Sequence, residues 1–205
     1  MSSWRTSSRI DIDLWTAISS SISRRIMPYP STPYHIGPSC LLGFLLRRWV
    51  DIPVFLLSNF AIDLVVFVVG VWQPRSFVLE HAHTFLIGAA VGIFWGIAAY
   101  FFRRLFRWIM LKIRLPYKTN IRKMIFSGII GTWLHIFIDS LYQSDIKLFW
   151  PSKLTNPSFR FNRREIDFLL MLCFIAAFAI YIYLLKRSIK AGNDQNIKPA
   201  DSSSP

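Results

Sequence analysis

The chain has 205 residues, with 24 Lys+Arg against 11 Asp+Glu and a formal net charge of +13, yet 53% of it is hydrophobic and its mean hydropathy is +0.39. That pairing excludes a soluble basic domain, whose hydropathy would be lower, and a disordered basic tail, which would not carry 8 Trp, 7 Tyr and 18 Phe. A chain both apolar and basic fits an integral membrane protein with its cations in cytoplasmic loops. No recognised nucleic-acid motif accompanies the charge, so the lipid bilayer, not nucleic acid, is the expected partner.

In chain order, residues 1–26 lack the continuous apolar stretch of a secretory signal. They read as an N-terminal extension suited to an interfacial helix. Residues 27–190 form the membrane domain, expected to be an all-α polytopic bundle of about five transmembrane helices. The first, Ile36–Leu46, is short. Ile52–Trp72, about Phe77–Phe102, Met124–Tyr142 and Phe168–Leu185 each approach the ~20 apolar residues a bilayer core requires. Trp49, Trp72, Trp108 and Trp150 fall near the ends of these runs, where an aromatic belt would place them. Arg47 and Arg48, the segment Arg103–Lys123 and the chain end hold more than half of the basic residues. With five spans these three segments share one side, the cytoplasm by the positive-inside rule. Residues 191–205 read as a disordered polar tail. Cys40 and Cys173 lie in apolar runs and form no disulfide or metal-binding pattern.

The informative residues are the ionisable ones in or beside the spans. Asp63 lies mid-run, with Asn59 one turn before it. His135 and Asp139 share a helix face at i and i+4. His35 opens the first run, and His81 and His83 open the third, after Glu80, which reads as a solvated rim residue. An aspartate at the bilayer centre costs roughly 2.5–3.5 kcal/mol unless compensated. Imidazole with carboxylate is a ligand set for a divalent transition metal, zinc above all, and one cation would neutralise both aspartates. At about 1.5 Å per residue, His135 lies about 10 Å below Tyr142 and Asp63 about 13 Å below Trp72. His35, Asp63, His81, His83, His135 and Asp139 are thereby expected in one leaflet or at its rim. Gly88, Gly92 and Gly96 form a small-residue stripe with Thr84 one turn earlier, and Ser127 and Gly131 continue the His135/Asp139 face. The two stripes are expected to pack on each other and to present His83, His135 and Asp139 to one cavity. A satisfied polar network and an ion or proton pathway are the competing readings of the same residues.

Pro33-Tyr34-His35-Ile36-Gly37-Pro38, Ile62-Asp63, His83-Thr84, His135-x3-Asp139 and Leu148-Phe149-Trp150-Pro151 occur in an order that resembles the LexA-regulated, inner-membrane metal-dependent hydrolase family of bacteria. The resemblance covers about Met27–Leu185. It implies a multi-pass protein of the bacterial inner membrane that hydrolyses its substrate with a divalent metal, and it supplies no substrate. Members commonly carry Pro-Asp-x-Asp where this chain has Ala61-Ile62-Asp63-Leu64, and His-Arg-Gly-x-Thr-His where it has His81-Ala82-His83-Thr84. A second metal and an arginine clamp on phosphate are thus without their residues. Met27-Pro28 resembles a family start, which implies that residues 1–26 are an extension.

The expected chemistry is hydrolysis at one metal held by His35, His83, His135 and one aspartate, with a position left for water. Asp63 and Asp139 are the expected catalytic carboxylates, one of them a general base or an orienter of a histidine. A site near the outer leaflet favours a lipid head group or lipid-linked ester as substrate. Metal or proton transport, and a purely structural polar core, are the alternatives.

Overall fold

Each long apolar run folds as a helix, because a backbone in lipid has to satisfy its own hydrogen bonds. The computed structural model describes residues 32–72, 81–141, 143, 146–152 and 161–197. Among them are six helices and no strand: α1 (Thr32–Leu45), α2 (Ile52–Trp72), α3 (Phe85–Phe101), α4 (Arg103–Lys112), α5 (Ile121–Ser140) and α6 (Arg163–Ile197). Residues 1–26, with the expected interfacial helix, lie outside the described residues, as do Glu80 and the start of the expected Phe77–Phe102 run.

Three helices, α2, α5 and α6, are long and apolar enough to cross a membrane. A fourth span arises if α3 and α4 count as one, but they meet at a 76° bend. The five-span expectation is therefore met only in its coarser part, a helical bundle with three or four candidate spans. α1 has 14 residues, and at 1.5 Å each it covers about 21 Å of a ~30 Å hydrocarbon core. α6 runs on to Ile197, so helix occupies the first part of the expected 191–205 tail.

The Arg103–Lys123 segment, expected as a loop, begins with a helix. Phe106 and Met110 are one turn apart and buried, whereas Arg103, Arg104, Arg107 and Lys112 are exposed. That division, with Leu105, Trp108 and Leu111 also exposed, is the pattern of a helix lying along a membrane surface.

α5 is the central element, packed against α3 on one side and α2 on the other. Toward α3 the backbones nearly touch. A Cβ placed on Gly92 would lie 2.6 Å from the backbone of Ile129, and one on Gly96 would lie 2.5 Å from Ile125 Cα. A Cβ on Gly128 would run into the Gly92 carbonyl. Thr132 Oγ1 donates to Gly88 O across this contact at 2.8 Å.

Toward α2 the same helix shows Ser127, Gly131 and His135. Ser127 Oγ accepts from Asp51 N at 2.6 Å, and a Cβ on Gly131 would collide with Ser58 Oγ. The expected pairing of stripes is thus corrected by one residue. Gly128 and Thr132 meet the glycine helix, while Ser127 and Gly131 face α2, because successive residues are about 100° apart around a helix. Thr84 does not continue the glycine stripe. It caps α3, its Oγ1 accepting from Ile87 N at 3.3 Å.

α1 packs on α6, where Gly37 leaves room for the Leu170 carbonyl, and on α2. Asn59 Nδ2 donates to Ser39 Oγ at 2.8 Å and so joins α2 to α1, a helix–helix bond rather than a contact to a ligand.

Candidate metal centre

Four elements supply the site. His35 comes from the start of α1, Asp63 from the second half of α2, His83 from the turn before α3, and His135 and Asp139 from the end of α5. The i,i+4 spacing on α5 aims His135 and Asp139 the same way, and Thr84 fixes the turn carrying His83 by capping α3.

The ligand atoms converge. Asp63, His83 and His135 each offer one, and all three lie within 4.8 Å of one another. His135 Nε2 is 3.3 Å from Asp63 Oδ1 and 3.3 Å from Asp139 Oδ2. His83 Nε2 is 3.9 Å from Asp63 Oδ1 and 3.5 Å from Asp139 Oδ2. Behind them His35 Nε2 lies 3.2 Å from Asp139 Oδ1, and the His35 ring sits 4.7 Å from that of His135.

Burial divides the group. His35, His135 and Asp139 are enclosed, whereas the side chains of Asp63 and His83 are 32% and 21% exposed. The cluster therefore has a closed back and an open front.

Both ring nitrogens of His35 and of His135 are buried without a hydrogen-bond partner. Such an orphaned group costs about 1–3 kcal/mol. His135 Nε2 stands beside two carboxylates yet bonds to neither, as donors do when arranged around a common centre. Bonds of about 2.0–2.1 Å to a tetrahedral ion would set neighbouring ligand atoms about 3.3–3.4 Å apart. The His135–Asp63 separation of 3.3 Å matches that spacing, the His83–Asp63 separation of 3.9 Å is wider, and Asp139 Oδ2 lies 3.3 and 3.5 Å from the two imidazoles. The residues fit a divalent cation.

Five of the six expected site residues meet here. His81 is placed differently: it is buried with its ring 4.6 Å from that of Trp150. The segment that carries Trp150 closes this end of the bundle. Ile146 and Leu148 pack with Ile62 and Ile136, and Leu148 O accepts from Phe85 N at 3.0 Å. Residue spacing does not reveal this lid, since residues 146–151 form no periodic element.

No family model matches the chain, and neither a curated protein nor a solved structure does.

Proposed function

We propose that this is a metal-dependent hydrolase of the bacterial inner membrane, with Asp63, His83 and His135 holding one divalent ion, zinc by the nature of the donors. The observation that carries the reading is the convergence of two imidazoles and one carboxylate from three separate segments, open on one side. Three protein ligands with a free position are the mark of catalytic rather than structural zinc sites. A bound ion would supply Lewis acidity and draw the pKa of a water toward 7.

The chain's own residues provide the rest. Asp139 turns Oδ2 to the same Nε2 atoms of His83 and His135 that face Asp63, and Oδ1 to His35, so it lies beside the ion position at the enclosed back of the site as a carboxylate that can accept a proton. His35 Nε2, 3.2 Å from Asp139 Oδ1, is the next group in line for that proton. Asp63 and His83 face the opening, where a lipid head group or lipid-linked ester can approach from the leaflet.

Transport of a metal or proton is the second reading, favoured by the hydroxyls of Ser58 and Ser127 between the site and the other end of the bundle. Both donate to carbonyls of their own helix at 2.7 Å, and Ser58 Oγ lies against Gly131.

Metal content of the purified full chain tests the proposal. Wild type should carry about one equivalent of a divalent transition metal, and His135→Ala and Asp63→Asn should carry under a tenth of that. Near-zero metal in all three would sink the reading. With metal present, chelator-sensitive hydrolysis of phosphate or carboxylate esters supports a hydrolase, and metal flux into proteoliposomes without hydrolysis supports transport.

A further inference from the structure

At the end of the bundle away from the metal cluster lies a cavity of about 360 Å³. It is bounded by the link between α1 and α2, the loop between α4 and α5, and the second half of α6. Its size falls within the range of ordinary small-molecule sites. Its floor is apolar, with Phe44, Met110, Leu115 and Leu184 on the wall. Its rim is cationic, formed by Arg47, Arg48, Lys118 and Lys123. Arg48 and Lys118 are exposed, and Lys123 Nζ is held in place by the carbonyls of Arg47 at 3.1 Å and Lys118 at 3.2 Å.

One wall residue contradicts a purely cationic site. Asp51 is 1% exposed. Its Oδ1 accepts from Val54 N at 3.3 Å, but its Oδ2 is buried without a hydrogen-bond partner. The Tyr117 hydroxyl, on the same wall, is likewise unpartnered. Burial first, and the nearby Asp51 carboxylate second, push the Tyr117 phenol above its ordinary range, so it remains a donor. The cavity thus offers cations for an anion, a carboxylate acceptor for a neutral donor, and an apolar floor for a hydrocarbon.

We propose that this cavity binds the head group of an anionic phospholipid whose phosphodiester carries a hydroxyl arm, the chemistry of phosphatidylglycerol. Arg47, Arg48 and Lys118 meet the phosphate, Asp51 accepts from the hydroxyl arm, and the acyl chain leaves over Phe44 and Leu184. The net positive charge of the wall favours this ligand over a zwitterionic head group, and the apolar floor favours a lipid over a free phosphate ester. The site is independent of the metal centre.

Native mass spectrometry of the full chain in an uncharged detergent tests this with four probes: short-chain phosphatidylglycerol, phosphatidylmethanol (same charge, no hydroxyl arm), phosphatidylcholine and soluble glycerol 1-phosphate. Phosphatidylglycerol should bind about fivefold or more tighter than phosphatidylcholine, from the energy of one basic residue facing an anionic lipid. It should also exceed phosphatidylmethanol and glycerol 1-phosphate severalfold. The double variant Arg48→Gln/Lys118→Gln, altering two exposed side chains, should weaken phosphatidylglycerol on the order of tenfold. Asp51→Asn should abolish only the preference over phosphatidylmethanol. If Asp51→Asn does not fold, the wild-type comparison of those two lipids still decides. Equal binding of phosphatidylglycerol with phosphatidylcholine or with phosphatidylmethanol overturns the proposal. So does glycerol 1-phosphate binding as tightly as the lipid. His135→Ala should leave all four affinities unchanged, and a parallel loss would overturn the independence of the two sites.

Discussion

The two faces of α5 do different work although they lie one residue apart. The face of Gly128 and Thr132 is closed: glycines let the α3 backbone approach until only Thr132 Oγ1 and Gly88 O remain to be joined. The face of Ser127, Gly131 and His135 also comes close to α2, but it ends in ionisable groups gathered with Asp63 and Asp139. The first face fixes the depth and rotation of α5. The second uses that fixed position to hold nitrogens and oxygens at ligand spacing.

The sharpest way to break this division is Gly128→Leu. Its side chain would meet the Gly92 backbone, which has no rotamer to yield, so the cost should exceed the 1–3 kcal/mol of ordinary overpacking. Loss of the monodisperse folded species in detergent is expected; a folded variant with wild-type melting would refute the closed face.

Asp139→Asn acts on the other face. It should leave the fold intact and lower metal affinity about 10–100-fold, as loss of a carboxylate beside the ion position does. Competition with a chelator of known affinity measures this, and unchanged affinity would detach Asp139 from the site.

A smaller effect is expected from Thr132→Val, which keeps the shape but removes the hydroxyl that bonds across to Gly88 O. About 1–2 kcal/mol of stability should be lost, read by denaturant unfolding, with metal content unchanged. His81→Phe should do least. The ring stays against Trp150, and metal content should remain within twofold of wild type. A tenfold fall would make His81 a ligand.

The helices and the candidate ligands were legible for the same reason. Ionisable groups in lipid are costly, so Asp63, His135 and Asp139 stand out from their apolar runs. Which helix each face meets was not legible. Ser127 and Gly128 are equally small, and only the α3 backbone, seen in three dimensions, selects Gly128. His81 and His83 looked equivalent at two residues' separation. The turn at 82–84 sends His83 to the carboxylates and His81 to Trp150, and Trp150 belongs to a stretch without periodicity. α4 was hidden by its charges, although Phe106 and Met110 one turn apart were the available signal. The cavity around Asp51 needs three chain segments far apart in sequence, and no local pattern announces it.

The bend between α3 and α4 makes α4 a float. With arginines on one flank and Trp108 on another, it is suited to lie at the boundary between water and hydrocarbon. α3 then serves as a ruler. Its 17 residues, at 1.5 Å each, put His83 about 26 Å from the float along the helix, nearly the ~30 Å thickness of a hydrocarbon slab if α3 stands upright in it. Lengthening or shortening α3 by one turn would move the imidazole about 5 Å into or out of oil without altering any residue that touches it.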